Sequence, residues 1–287
     1  MNVITSHDNK WLRSFRTALR GSGPKPGDPI GVEGPKLVED ALRSGLQADA
    51  LLVSESAERE AESILRIAAE TETGISRSHV LRTTDKLFQG VAATDAPQGV
   101  AALFRQRVWG LDDVLRGPGE MRRAPALAIV LAEVQDPGNV GTTVRSAEAL
   151  GATGVVSTRG TADPWSPKAL RASAGAALRL PILRGMAMPI VLAQLRIAGV
   201  KIYASSADSE DLLERVYSAG EANLREPTAI FIGNEGAGLS AEVKRAADAI
   251  ITILMSKNLE SLNAGVAASI ILYEAAKQRQ SEVQELP

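Results

Sequence analysis

The sequence predicts an α/β protein of two domains, the second built on a mostly parallel sheet. A length of 287 residues is too great for one small domain and suits two of ordinary size. Short apolar runs alternate with helical segments, weakly at first and strongly after Ala124. Between Arg105 and Arg123 the character changes, with the breaker-rich stretch Gly110-Leu-Asp-Asp-Val-Leu-Arg-Gly-Pro-Gly119 followed by Met121-Arg-Arg123. The expected partition is a smaller domain over residues 1–105, a linker over 106–123 and a larger domain over 124–287.

In the first domain Pro29–Glu33 reads as a strand. Pro35 then stands where a first helical residue would, ahead of Lys36–Arg43. Ala50–Val53 reads as a second strand, Glu58–Glu70 as a helix and Val100–Phe104 as a late strand. In the second domain the expected strands are Ala126–Leu131, Gly154–Ser157, Val200–Ala204, Ala229–Ile232 and Ala249–Leu254. Such apolar runs fit strands buried on both faces. The last helix, Leu262 to about Gln278, carries Leu262, Val266, Ile270 and Tyr273 at helical spacing.

Composition narrows the chemistry. Hydrophobic residues make up 45% and charged residues 23%, enough for a buried core. The formal charge is −2, so any binding of nucleic acid must use local basic patches rather than bulk charge. Cysteine is absent, which removes disulfides, Cys-liganded zinc and thiol nucleophiles. Only His7 and His79 are present, far apart in sequence, so a histidine metal site or a Ser-His-Asp triad is disfavoured. Residues Met1 to Phe15 lack the apolar core of a signal peptide, and no uncharged apolar run approaches the roughly 18 residues of a membrane span. The expectation is a soluble, cytoplasmic protein with no membrane and no metal.

Ligands of open parallel sheets bind at the carboxyl ends of strands. Three strand-to-helix junctions there have unusual composition. The first is Gln135-Asp-Pro-Gly-Asn-Val-Gly141, whose helix carries Val140, Val144, Ala147 and Leu150 on one face and stops at Gly151. Arg145 lies near the positive end of that helix, an unfavourable place for a cation unless it serves an anion; a solvated arginine is the plainer alternative. The second is Phe231-Ile-Gly-Asn-Glu-Gly-Ala-Gly-Leu-Ser240, whose glycines permit close backbone approach to a ligand without P-loop or dinucleotide spacing. Glu235 there favours a helix N-terminus or binds a donor on a ligand. The third is Met255-Ser-Lys-Asn-Leu-Glu-Ser-Leu-Asn263. Ser261 reads as the N-cap of the last helix, and Asn263 as either a capping residue or part of a polar ligand site.

Charge is segregated along the chain. No acidic residue lies between Pro164 and Ala207, where Lys168, Arg171, Arg179, Arg184, Arg196 and Lys201 occur. The first 25 residues hold Lys10, Arg13, Arg16, Arg20 and Lys25 against Asp8 alone. Such patches suit phosphate contacts, with ordinary solvated charge as the alternative.

Taken together, the junctions resemble three motifs of the SpoU (TrmH) family of RNA ribose 2′-O-methyltransferases. Asp136-Pro-Gly-Asn-Val-Gly-Thr-Thr-Val-Arg-Ser-Ala147 resembles the first motif, Phe231–Ser240 the second and Glu260-Ser-Leu-Asn-Ala-Gly-Val-Ala-Ala-Ser-Ile270 the third. Ser166-Pro-Lys-Ala-Leu-Arg-Ala-Ser-Ala-Gly175 is similar to a further family segment. Ile4-Thr-Ser6, Val32-Glu-Gly34 with Leu37-Val-Glu-Asp-Ala41, and Ala96-Pro-Gln-Gly-Val-Ala101 are similar to the N-terminal RNA substrate-binding extension of longer members. The likeness spans nearly the whole chain.

The resemblance implies a SPOUT fold with a trefoil knot, a homodimer, S-adenosylmethionine as cofactor, and methylation of a ribose in structured RNA. The N-terminal extension points to 23S ribosomal RNA. A transfer RNA ribose methyltransferase and a non-catalytic RNA-binding paralogue are the alternatives. Arg145 becomes the catalytic arginine. A guanidinium is a very poor base, which suits it to gripping phosphate and stabilising an alkoxide. Asn139 would orient Arg145 or the ribose, Glu235 and Ser261 would align the substrate side, and Asn263 would hold the third loop or the ribose. Ile232, Gly233, Gly238, Ile253, Leu254 and Leu262 would bind the cofactor. Lys10, Arg13, Arg16, Lys36, Lys168 and Arg171 would bind RNA. Two departures stand out: Ile253-Leu-Met255 replaces the usual Ile-Pro-Met, and Lys257 stands where glycine is more usual. Leu254 restores an N–H and loosens the backbone. Aromatics amount to 3%, so RNA recognition is expected through shape and phosphate rather than base stacking.

Overall fold

The computed structural model describes residues 2–71, 75, 79–119, 124–206, 216–255 and 261–284. In chain order these form β1 (Asn2–Ile4), α1 (Lys10–Arg20), β2 (Ile30–Glu33), α2 (Pro35–Arg43), β3 (Ala48–Ser54), α3 (Glu58–Glu70), β4 (Val80–Thr83), α4 (Asp85–Gln89) and β5 (Val100–Phe104). Next come α5 (Leu111–Arg116), β6 (Leu127–Leu131), α6 (Pro137–Ala149), β7 (Gly154–Thr158), α7 (Pro167–Ala172), β8 (Ile182–Met186), α8 (Met188–Ile197) and β9 (Lys201–Ser205). The chain finishes with β10 (Val216–Ser218), β11 (Thr228–Ile232), α9 (Ala241–Ala246), β12 (Ala249–Thr252) and α10 (Ala264–Gln284). They divide into two compact units: Met1–Val108 with Trp165–Arg179, and Trp109–Pro164 with Leu180–Pro287.

The first unit holds a five-stranded sheet in the order β1-β4-β3-β5-β2. β1, β4 and β3 run parallel, and β5 runs antiparallel to both β3 and β2. One face of α1 buries Leu12, Phe15 and Leu19 against Leu52, Leu81 and Leu103 of the sheet. The segment Trp165–Arg179 carries α7 into this unit; Trp165 is buried there and its indole N–H donates to Ala177 O at 2.8 Å.

The second unit is a seven-stranded sheet in the order β10-β12-β9-β11-β6-β7-β8, with every pairing parallel. The central strands β6 and β11 are buried along their whole length, as continuous apolar runs require. α6 begins where the side chain of Asp136 accepts from Gly138 N, with Pro137 in the first turn, and buries Val140, Val144 and Ala147. α10 packs on α6, and the hydroxyls of Ser146 and Ser269 meet at 2.7 Å. Arg279 fastens the far end of α10 by donating to Leu224 O, Pro125 O, Ala126 O and Glu226 O.

Several boundaries differ from the sequence expectation. The stretch read as a linker contains α5, whose Val114 is buried in the core of the second unit. α5 lies so close to β7 that a Cβ on Gly154 would stand 2.8 Å from the Val114 backbone. The last strand ends at Thr252, leaving Ile253–Met255 in the following loop, and the last helix starts at Ala264. The strands β1, β4, β8 and β10 were not foreseen; β1 and β10 span only three residues, and β8 interrupts its apolar pattern with Arg184-Gly185.

Candidate active site

The three unusual junctions converge at the carboxyl ends of adjacent strands of the second unit. β6 leads into the loop before α6, its neighbour β11 into the glycine loop, and β12 into the segment before α10. Asn139 sits in the first turn of α6 and is 7% exposed. Its Nδ2 donates to Glu235 Oε1 at 2.8 Å, and its Oδ1 accepts from Asn263 Nδ2 at 2.7 Å. One buried carboxamide therefore ties all three loops together.

Glu235 completes its side of the link by accepting from Asp136 N on Oε1 and from Gln135 N on Oε2, each at 3.1 Å. Burial opposes ionisation of this carboxyl. The hydrogen bonds from the Asn139 amide and from the backbone amides of Glu235, Gln135 and Asp136 outweigh it and hold the pKa below the ordinary glutamate value. Of the two roles open for Glu235 in the sequence, the structure shows donors at the α6 N-terminus.

Asn263, not Ser261, caps α10. Its Oδ1 accepts from Gly265 N at 2.9 Å and Val266 N at 3.2 Å, and its carbonyl accepts from Ala267 N. This explains an asparagine beside a helix that its propensity disfavours. Asn234 braces the glycine loop: Oδ1 accepts from Gly236 N and Ala237 N, while Nδ2 donates to Glu133 O. The loop folds so tightly that a Cβ on Gly233 would lie 2.5 Å from the Gly238 backbone.

Beside this network opens a cavity of about 520 Å³. Its lining includes Glu235 and Ser261 together with Ile232, Gly233, Gly238, Ile253 and Leu262, five of the six residues expected to hold a cofactor. The sixth, Leu254, is 86% exposed and is not among them. Lys257 and Glu260 of the third motif lie outside the described residues. Sequence reasoning missed Ser205, Ser206 and Lys244, which also line the cavity. The two serines stand at the carboxyl end of β9 and were open to the same strand-end rule; Lys244 gave no signal, reading as a solvated lysine on a short helix.

Arg145 is exposed, does not line the cavity, and makes no hydrogen bond or ion pair among the described residues. It stands six residues beyond Asn139, about 9 Å further along the axis of α6 and in the C-terminal half of that helix, so it is not near the positive end as expected and the helix dipole gives no reason for an anion there.

All six residues expected to bind RNA fall in the first unit. Lys10 and Arg13 are exposed on α1, and Lys168 and Arg171 on α7, which packs against α1. Arg16 donates to Gly90 O at 3.3 Å, and Lys36 pairs with Asp40 at 3.0 Å. The acid-free stretch does not form one patch. Arg184 pairs with Asp163 and Arg196 donates to Ala246 O, both in the second unit. Among the described residues there is no cluster able to hold a metal ion and no helix long and apolar enough to cross a membrane.

Comparison with known proteins places this geometry. Residues 126–273 match the model of the SpoU rRNA Methylase family, and residues 30–102 match the MRM3-like substrate binding domain. The chain is 32% identical to the 23S rRNA (guanosine(2553)-2′-O)-methyltransferase RlmP of Bacillus subtilis, over 95% of this chain and 98% of that one. It is 34% identical to a tRNA/rRNA methyltransferase of Mycolicibacterium vanbaalenii, covering 96% of this chain and 85% of the relative. The AdoMet-bound rRNA methyltransferase of Sinorhizobium meliloti superimposes with a TM-score of 0.80 at 28% identity, covering 96% and 97% of the two chains. With the family match spanning the whole three-loop network, the chain belongs to the SpoU rRNA methylase family.

Proposed function

We propose that this protein transfers a methyl group from S-adenosylmethionine to a ribose 2′-hydroxyl of 23S ribosomal RNA. The observation that carries this reading is the Asn139 link, which brings the three SpoU motifs together beside one ligand-sized cavity. The relative in Bacillus subtilis named for this reaction is matched over nearly its full length, which supports ribosomal RNA as the substrate.

The cavity suits the cofactor. Its volume lies within the range of roughly 300–1,000 Å³ typical of small-molecule sites. Ile232, Ile253, Leu262 and Ile271 offer apolar surface for an adenine, and the glycine loop and serines offer polar groups for a ribose. When bound, S-adenosylmethionine supplies a methyl group already activated on a sulfonium.

The chain's residues do the rest. Glu235, Asn139 and Asn263 fix the loops that position the two reactants. Arg145, exposed and without a partner among the described residues, holds an RNA phosphate and stabilises the oxygen as its hydroxyl proton leaves to a neighbouring acceptor. The exposed cations of α1 and α7 grip the RNA backbone from the first unit.

The proposed assembly is a homodimer. Val266 and Tyr273 are 45% and 58% exposed and share a face of α10, an apolar surface that a second copy would cover. Because Arg145 stands away from the cavity, that second copy also completes the site. A trefoil knot in the C-terminal segment accords with the strand order, in which β12 lies beyond β9 while α10 returns to α6. The cytoplasm, where ribosomal RNA resides, is the proposed location.

The test is incubation of the purified protein with methyl-labelled S-adenosylmethionine and, separately, 23S ribosomal RNA and transfer RNA. Resistance of the labelled dinucleotide to alkaline hydrolysis reports 2′-O-methylation. Label in 23S RNA alone is expected; label in transfer RNA alone would reassign the substrate, and label in neither would leave an RNA binder.

A further inference from the structure

Among the described residues, Lys244 is the only cation lining the cavity. It lies on α9, four residues beyond the end of the glycine loop at Ser240, and is half-buried. It makes no ion pair or side-chain hydrogen bond among the described residues. A half-buried ammonium facing a cavity is placed to gain a charge-assisted contact from an anion bound there.

The one carboxylate among the described lining residues does not serve. Glu235 directs Oε1 to Asp136 N and Asn139 Nδ2, and Oε2 to Gln135 N. The two charges are also carried on opposite sides of β11. Glu235 is fastened to the loop after β6, whereas α9 packs on β9, and β6 and β9 flank β11. The cavity thus has a carboxylate already engaged by hydrogen bonds at its β6 side and, among the described residues, an unpaired cation at its β9 side.

We propose that Lys244 binds the carboxylate at the amino-acid end of the cofactor. This rests on the reading of the cavity as the S-adenosylmethionine site. The amino-acid end carries one anionic group, its carboxylate, beside an ammonium and a sulfonium. A lysine repels both cations and attracts the carboxylate, so it sets which way round the amino-acid end lies. Ser205 and Ser206 line the same cavity at the carboxyl end of β9, the strand on which α9 packs, and would offer hydroxyls to the same end of the ligand.

The test is calorimetric titration of the whole protein with S-adenosylhomocysteine and with 5′-methylthioadenosine, which keeps the adenosine and thioether but lacks the carboxylate. Lys244→Met is expected to weaken S-adenosylhomocysteine about tenfold and leave 5′-methylthioadenosine unchanged, as loss of one charge-assisted contact requires. Lys244→Arg is expected to restore most of the difference, and thermal melts of the ligand-free variants should coincide with wild type. Equal weakening of both ligands would overturn the proposal by making Lys244 a residue that shapes the cavity. Unchanged S-adenosylhomocysteine affinity with weakened RNA binding would overturn it by making Lys244 a phosphate contact. Wild-type protein that binds neither ligand would instead overturn the cavity reading itself.

Discussion

Asn263 Nδ2 lies 2.7 Å from Asn139 Oδ1, joining loops 124 residues apart in sequence. Because Asn139 Nδ2 donates to Glu235, the carboxamide has a fixed polarity: nitrogen toward the carboxylate, oxygen toward Asn263. Asn139→Asp keeps the shape but replaces the donor with an anion facing Glu235. Urea titration at neutral pH is expected to show a loss of about 1–3 kcal/mol, the scale of a buried polar group left without its partner. Methyl transfer is expected to fall about 100-fold, since displacing reacting groups by about 1 Å has that effect. A variant with wild-type stability and rate would show that the link is incidental.

The pKa of Glu235 gives the network a pH signature. Its folded value lies below the ordinary 4.5, so the stabilisation it contributes is present above pH 4.5 and is lost as the pH falls toward the folded value. The urea midpoint of wild type is therefore expected to exceed that of Glu235→Gln at neutral pH, with the gap closing below pH 4.5. A gap that stays constant through this range would mean that ionisation of Glu235 plays no part in holding the α6 loop.

How much of this was legible in the sequence depends on the kind of interaction. The strands β5, β6 and β11 were readable because burial on both faces leaves nearly unbroken apolar runs. α5 was hidden because Gly110 and Pro118 surround it with breakers, and its docking depends on Gly154, which is 44 residues away from Gly110 in sequence. Glu235 and Asn263 were readable as polar residues at strand ends, and Asn139 through the family resemblance. Their mutual bonding was not, because it depends on which loops the sheet order brings together. Ser261 and Asn263 both suit a cap, and only backbone geometry decides between them.

Gly233 offers a test confined to the cavity. A Cβ there would meet the Gly238 backbone at 2.5 Å, a separation that forces the glycine loop open. Gly233→Ala is expected to weaken S-adenosylhomocysteine by at least about tenfold in calorimetry, because the loop's backbone lines the cavity. RNA affinity carried by the first unit should be unchanged. Unimpaired S-adenosylhomocysteine binding would show that the loop's tight turn is dispensable for the ligand.

Arg145 separates binding from reaction. The side chain is exposed and unpaired among the described residues, so Arg145→Ala is expected to shift the melting temperature little. It does not line the cavity, so S-adenosylhomocysteine affinity should also hold. Methyl transfer is expected to fall by about 100-fold or more, the scale for removing a group that stabilises a developing oxyanion. Full activity in this variant would remove Arg145 from the reaction.

The reach of Arg145 also bears on assembly. It stands about 9 Å along α6 from Asn139, whereas the network that holds the cavity lies at the start of that helix. A second copy docked on the exposed face of α10 would cover Val266 and Tyr273 and bring further groups to this region. Tyr273→Glu places a charge in that apolar face without touching the cavity or the Asn139 link. Sedimentation is expected to show a dimer for wild type and a shift to monomer for the variant. Methyl transfer should fall with dimer content and recover at higher protein concentration. A monomeric variant with undiminished activity would show that one chain holds a complete site, and that Arg145 reaches the ribose without a partner.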